Sequence, residues 1–332
     1  MSNGTAALHL ACLSGGLKKG DEAITSPISF LATSNAVLYC DAIPVFADID
    51  YDSVNINPKE ILRKITNRSK AIIPVHFAGL PCNIEEIYNE AKKHDLIVIE
   101  DACHALGSEY KSKGKYIKVG SCEHSDMCVF SFHPVKHITT GEGGIITTNN
   151  KDLYEKLLPL RSHGVYKNEE IVAKNGSWYY EMRDLGYNYR ITDFQCSLGI
   201  SQLKKLDRFI EKRRDIAKKY DEAFSTMEGV SFIKASEESK HAYHLYVLKI
   251  DLEHFNFSRQ DLVFRLKEKG ILTQVHYIPI YWQPYYKSLG FQKGSCPNAE
   301  KYYDKCLSIP IFPKMSDDDV QYVIEVFRNV LS

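Results

Sequence analysis

Six short apolar segments alternate with helical ones over the first two thirds of the chain, and this alternation restricts the fold more than any other feature. "EAIT" (22–25), "IPVFADI" (43–49), "KAIIPVHF" (70–77), "LIVIED" (96–101), "MCVFSF" (127–132) and "GGIITTN" (143–149) are rich in Val, Ile and Phe and read as strands. Stretches such as Pro58–Thr66 and Ile84–His94 read as helices between them. Strands that are nearly all apolar and separated by helices predict an α/β fold, with a mostly parallel central sheet covered on both faces. Ligands of such sheets sit at the carboxyl ends of the strands. That rule selects Asp101, His104 and the run Ser131 to Lys136.

The pattern changes near residue 192. Thr192-Asp193-Phe194-Gln195 has the form of a capping box. It is expected to open one long helix over 194–224, whose many basic residues read as a solvated face. From about residue 230 a mixed α/β pattern follows: "HLYVLKI", a helix near Arg259–Lys269, "ILTQVHYIPI" and two terminal helical stretches. At 332 residues the chain is long enough for two cores. The expected division is a large ligand-binding domain, 1–205, and a linking helix with a small C-terminal domain, 206–332.

Several function classes are disfavoured. The formal net charge is zero, so nothing points to nucleic acid or to an anionic membrane surface. No apolar run is long enough to span a bilayer. The nine cysteines are odd in number, scattered and without a Cys-x-x-Cys, which fits reduced thiols in a cytoplasm. The opening "MSNGTAALHL" lacks the basic region of a secretory leader.

Lys136 is the residue that most needs explaining. It follows Phe130-Ser131-Phe132 and precedes Gly141-Glu142-Gly143-Gly144, whereas lysine ordinarily keeps its ammonium in water. A desolvated lysine has a lowered pKa and can form a Schiff base with a carbonyl. Asp101 ends an apolar strand and is open to two readings, a cap for a following helix or a carboxylate facing a buried cation. A lysine and a carboxylate at neighbouring strand ends suit pyridoxal phosphate, with the carboxylate on the pyridine nitrogen and the amine on the aldehyde. Ser2-Asn3-Gly4-Thr5 before an apolar helical run offers free N–H groups, a hydroxyl and a helix dipole to an anion, or simply an N-cap. His133 and His137, four apart with Pro134 between them, do not read as a metal pair.

Together these segments resemble a known family. "SNGTAALHLA", "EDACHALGSEY", "FSFHPVKHITTGEGG", "LRSHGV", "GYNYRITDFQCSLGISQL" and "VHYIPIY" match, in order, the motifs of the DegT/DnrJ/EryC1/StrS sugar aminotransferases. The resemblance implies pyridoxal phosphate as cofactor and the fold type I (aspartate aminotransferase-like) architecture. By motif position Lys136 resembles the lysine that binds the cofactor aldehyde, and Asp101 the partner of the pyridine nitrogen. His104 stands where the family has Gln or His near the phenolic oxygen. Phe30 resembles the residue stacked on the ring. Gly4, Thr5 and Ser131 resemble phosphate contacts, and Asn188 one that reaches the phosphate from a second subunit, which implies a homodimer. His276 and Tyr277 resemble residues lining the sugar-nucleotide site.

A finer likeness rests on "PVKHITTGEGG", "WYYEMRDLGYNYRITD" and "VHYIPIYWQPYY". It implies glutamate as amino donor and a UDP-linked 4-keto-6-deoxy-N-acetylhexosamine as acceptor, in pseudaminic acid or related nucleotide-amino-sugar biosynthesis. Family members carry some tens of residues before the "SNGTAAL" motif, including a strand. The sequence therefore leads one to expect an N-terminally incomplete large domain, a phosphate-binding turn short of support and an exposed strand edge. A folded, catalytically impaired dimeric remnant is the competing reading. The family's dehydratase branch, with histidine in place of the lysine, is disfavoured by Lys136.

Overall fold

The computed structural model describes residues 1–331. The first eight strands are, in chain order, β1 (Glu22–Thr25), β2 (Ile43–Phe46), β3 (Ser69–Ile73), β4 (Ile97–Asp101), β5 (Glu109–Ser112), β6 (Lys115–Lys118), β7 (Met127–Ser131) and β8 (Gly144–Thr147). Six of them form one sheet in the order β2-β1-β3-β4-β7-β8. All its pairings are parallel except β7 with β8. Strands β5 and β6 form a separate hairpin. The six apolar segments thus form the mostly parallel sheet expected of them.

Period-two alternation sends side chains to opposite faces. Ala23, Ala71, Ile73, Ile99, Met127 and Val129 pack under the helices Gly4–Ser14, Ala32–Leu38 and Lys151–Leu160. Ile24, Ile72, Val98, Cys128 and Phe130 pack on the other face with Ile84, Ile87 and Ala91 of the helix Ile84–Lys93. Burial on both faces is why these strands lack polar alternation. The helix expected over 58–66 stops at Leu62. The chain turns there into β3, with Ser69 N–H donating to Thr66 O (3.1 Å) and Thr66 N–H donating to Ser69 Oγ (2.9 Å).

The C-terminal part is built on an antiparallel sheet of Val230–Phe232, Tyr246–Ile250 and Cys306–Ile309. Tyr220, Phe224, Leu248, Leu266 and Phe327 fill its core. A further cluster joins the two parts: Ile28, Phe46 and Phe77 pack with Val247, Tyr281, Tyr286 and Tyr302.

Three expectations need correction. The long helix over 194–224 is two helices, Asp193–Leu203 and Leu206–Phe224. The first buries no residue within the chain; the second drives Ile210, Ile216, Tyr220 and Phe224 inward, so the two halves answer to different surroundings. Its basic face is not wholly solvated either: Arg213 is buried, and its guanidinium donates to the carbonyls of Tyr243, His244 and Ile311. Last, residues 271–280 form no regular strand; Gln274 bridges Ser308, and the helices Pro284–Ser288, Pro297–Lys305 and Asp317–Leu331 follow.

Candidate active site

Asp101 ends β4 at 5% exposure. Its Oδ2 accepts from Thr33 Oγ1 at 2.6 Å and its Oδ1 from the N–H of Cys103 at 3.1 Å. No helix follows it, so the capping reading does not apply. One strand away, β7 ends at Ser131 and the chain turns to place Lys136. That turn is fixed by Lys136 N–H to His133 O (2.9 Å), Phe132 N–H to Gly143 O (2.8 Å) and Thr140 N–H to Phe132 O (3.0 Å). Among the described residues, the half-buried Lys136 ammonium makes no ion pair and no side-chain hydrogen bond. Burial lowers its pKa, and the acidic groups of Cys103 and Asp101 push back against that shift.

The glycines after Lys136 let this loop lie against the first helix. A Cβ at Gly144 would stand 2.6 Å from Asn3 O. The helix itself begins at Gly4, where Asn3 Oδ1 accepts from Ala6 N–H at 2.7 Å. The N–H groups of Gly4 and Thr5 have no carbonyl a turn earlier to bond and are free for an anion. A Cβ at Gly4 would sit 2.9 Å from Ser131 Cβ, so only glycine lets Ser131 approach this closely.

The turn expected to lack support is held. The Met1 ammonium donates to Gly144 O (2.7 Å), Gly144 N–H to Met1 O (3.0 Å), and Ser2 N–H to Tyr189 O (2.7 Å). The start of the first helix is thereby pinned to the edge of β8.

These parts meet around a cavity of about 400 Å³. Gly4, Thr5, Phe30, Asp101, His104, Ser131, Lys136 and Tyr277 all stand on its wall. Phe30 is 60% exposed at the rim, with its ring 6.4 Å from that of Tyr277. His276 is not on the wall. Its Nδ1 lies 2.8 Å from Ser308 Oγ, and burial, with a smaller push from Lys136, draws its pKa down to about 4. Asn188 is exposed and bridged to Ser162, away from this cavity. Thr33, Cys103 and Glu142 also line the cavity and escaped the sequence reading; His133, from the selected run Ser131 to Lys136, lines it too. Thr33 comes from the helix Ala32–Leu38, far along the chain, and carries no signal of its own; Cys103 and Glu142 sat within motifs already quoted.

His133 and His137 diverge: His133 is exposed, and His137 is buried with Nε2 3.1 Å from Ala242 O. Among the described residues no group of three or more His, Cys, Asp or Glu could hold a metal ion. Among them also, no helix is long and apolar enough to cross a membrane.

Comparison with known proteins fits this geometry. The model of the DegT/DnrJ/EryC1/StrS aminotransferase family matches residues 1–328. The UDP-4-amino-4,6-dideoxy-N-acetyl-beta-L-altrosamine transaminase of Campylobacter jejuni (serotype O:23/36, strain 81-176) is 41% identical over 334 residues, covering 100% of this chain and 84% of that protein. Among solved structures, the Helicobacter pylori aminotransferase PseC, involved in pseudoaminic acid biosynthesis, superposes with a TM-score of 0.90 at 34% identity, covering 100% of this chain and 85% of that one. The pyridoxal phosphate form of the putative sugar aminotransferase Spr1654 of Streptococcus pneumoniae gives 0.88 at 29% identity, covering 99% of this chain and 86% of that one. With the family matched over nearly the whole chain and a lysine and a carboxylate on one cavity wall, this protein belongs to the DegT/DnrJ/EryC1/StrS aminotransferases, enzymes of α/β fold type I that depend on pyridoxal phosphate.

Proposed function

We propose that this enzyme transfers the amino group of glutamate to C4 of a UDP-linked 4-keto-6-deoxy-N-acetylhexosamine, in pseudaminic acid or related nucleotide-amino-sugar biosynthesis. The observation that carries the reading is the placement of Lys136 and Asp101 on one cavity, supported by the likeness to the Campylobacter transaminase.

The residues present fit the cofactor. The helix start at Gly4 and Thr5, with Ser131 packed against it, forms a cradle that a Cβ at position 4 would fill. When bound, pyridoxal phosphate supplies the aldehyde that takes up an amino group and a ring that withdraws electrons from the bond being broken. Asp101, oriented by Thr33 and the Cys103 N–H, would keep a proton on the pyridine nitrogen. Lys136, with its pKa lowered by burial, moves a proton to and from the substrate carbon as general base and acid. Phe30 would cover the ring from the rim, and His104 would stand near the phenolic oxygen. Tyr277 on the wall, with the His276 ring 4.7 Å from its own, lines the sugar-nucleotide side.

The active unit is a homodimer in which Asn188 reaches the partner's phosphate site. Support comes from the helix Asp193–Leu203, which buries nothing in its own chain while Phe194 (90%), Ile200 (62%) and Leu203 (54%) stand exposed. Exposed apolar surface of this kind marks an interface. The enzyme works in the cytoplasm, without nucleic acid or membrane. Its cofactor domain spans 1–205, and the linking helix and small domain span 206–332; the separate C-terminal core supports that division.

The test is incubation with glutamate and 4-keto-6-deoxy sugars linked to UDP or to GDP, followed by mass analysis. A 4-amino sugar from the UDP substrate is expected. Release of ammonia with a deoxygenated sugar, or turnover of the GDP substrate alone, would overturn the reading.

A further inference from the structure

Every reactant of the proposed transfer carries negative groups: the cofactor a phosphate, glutamate two carboxylates, the nucleotide sugar a diphosphate. The cavity offers them little positive charge. Among the residues lining it Lys136 is the only lysine or arginine, and the reaction employs its amine at the cofactor. Burial, with a further push from Lys136, holds the His104 pKa well below its ordinary value, so that ring stays neutral. His133 faces Glu142 Oε1 at 3.8 Å, and Asp101 and Glu142 put two carboxylates on the same wall. The helix start at Gly4 and Thr5 can serve the phosphate. The carboxylates of glutamate then have no cation in the chain's own wall.

Residues 187–190 lie extended against 160–163. Tyr187 N–H donates to Leu160 O (2.7 Å), Tyr189 N–H donates to Arg161 O (3.1 Å), and Asn188 bridges Ser162. Tyr187 and Tyr189 turn inward; their rings stack 4.9 Å apart and both meet the ring of His9 on the first helix. Side chains alternate along an extended chain, so Asn188 and Arg190 face the other way, and both are exposed. Arg190 Nη1 donates to Ser162 Oγ at 3.3 Å, and among the described residues Arg190 makes no ion pair. The chain then runs into the helix Asp193–Leu203, which buries nothing in its own chain. An unpaired guanidinium thus stands beside Asn188 on the surface proposed to meet a second copy.

We infer that Arg190 is a substrate-binding residue for the site of a second copy of this chain, where its guanidinium pairs with a carboxylate of the amino donor. The planar fork of N–H donors matches a carboxylate through two parallel bonds. Diphosphate oxygens would fit the same fork, but a nucleotide sugar also has a base, a ribose and a pyranose to hold it. Glutamate, beyond its amino group, has only its carboxylates and a short apolar link. The inference rests on the proposed dimer: with Asn188 at the partner's phosphate site, two residues of extended chain place Arg190 about 7 Å away from it.

The experiment uses the cofactor-loaded enzyme with glutamate and the 4-keto UDP-sugar. Arg190→Ala is expected to raise KM for glutamate about tenfold or more, the worth of a hydrogen bond between charged groups, with kcat, KM for the sugar and cofactor affinity within about twofold of wild type. Arg190→Lys, which keeps the charge and loses the fork, should recover part of the loss. Mixed dimers of a Lys136→Ala chain with an Arg190→Ala chain, isolated through two affinity tags, tell whose site Arg190 serves. One site of such a dimer has Lys136 from one chain and Arg190 from the other, so wild-type KM for glutamate is expected at about half the wild-type kcat per dimer. A mixed dimer that keeps the raised KM puts Arg190 in its own chain's site and overturns the inference. An unmoved KM for glutamate in Arg190→Ala overturns it too, as does a larger rise in KM for the sugar or a loss of cofactor affinity. Failure of the dimer itself looks different: the wild type would run as an active monomer in size-exclusion chromatography and no mixed dimer would form, which overturns both.

Discussion

Thr33 Oγ1 donates to Asp101 Oδ2 across 2.6 Å and ties the helix Ala32–Leu38 to the end of β4. The same hydroxyl lies 2.7 Å from Ser29 Oγ, so the loop that carries Phe30 is fixed to the carboxylate as well. One hydroxyl therefore positions both the carboxylate proposed to face the cofactor nitrogen and the aromatic ring at the rim. Thr33→Val keeps the volume and removes the hydrogen bond to an ionised group, which is worth roughly 1.5–3 kcal/mol. The expected result is a loss in kcat of about tenfold or more, measured in single turnovers with glutamate, with the fold intact by circular dichroism. Unchanged kcat would show that Asp101 does not depend on Thr33.

Lys136→Ala should abolish the visible absorption of the cofactor-loaded protein and cut turnover by at least ~10²–10⁴-fold, the usual worth of a positioned general acid–base group. Turnover retained within a few-fold of wild type would refute the assigned role.

Lys136 also makes stability depend on pH. Burial lowers its pKa in the folded protein below the ordinary 10.5. Between the lowered value and 10.5 the unfolded chain binds more protons at this residue, so its contribution to stability rises with pH across that window. Cofactor-free Lys136→Met should therefore gain stability over wild type at neutral pH, and the gain should shrink as pH approaches 10.5. Urea unfolding at both ends of the window checks this; a pH-independent difference would contradict it.

Gly4→Ala separates binding from folding. Alanine favours a helix over glycine by about 1 kcal/mol, although at the first turn the gain is smaller. The added methyl would meet Ser131 Cβ at 2.9 Å and must displace it. Cofactor affinity, measured by equilibrium dialysis, is expected to fall about tenfold or more, a loss comparable to that of one hydrogen bond to a charged group. Equal loss of affinity and of cofactor-free thermal stability would point to a general disruption instead.

Behind Asp101, Cys82 N–H donates to His76 Nδ1 at 2.9 Å, so the proton of that buried ring sits on Nε2, 2.7 Å from Glu100 Oε2. Ser125 Oγ donates to the other oxygen of Glu100 at 2.5 Å. His76→Phe leaves the buried Glu100 with one partner fewer and should cost roughly 1.5–3 kcal/mol in denaturant unfolding. A loss under 1 kcal/mol would mean that water replaces the ring.

Much of the large sheet was legible in the chain because its information is local. Six runs of Val, Ile and Phe separated by helical stretches leave few ways to bury both faces, and the observed strands fall inside those runs except that β3 begins one residue earlier, at Ser69. Asp101 drew notice because a strand end followed by small residues places its polar side chain at the sheet's carboxyl edge, and Lys136 because a lysine stands between an apolar strand and a glycine cluster. The break at residues 204–205 was not legible, because helical pattern continues across it and only the partner of each half differs.

The sequence by itself determined the strand segments, the glycines beside Lys136 and the family motifs, because each rests on residues close together along the chain. Only the tertiary structure decided that Thr33 holds Asp101, that Gly144 pins Met1 and that the His244 ring lies against His104. Those pairs are separated by 68, 143 and 140 positions, and contacts at such separations follow from how packed layers bring distant segments together, which no local pattern encodes.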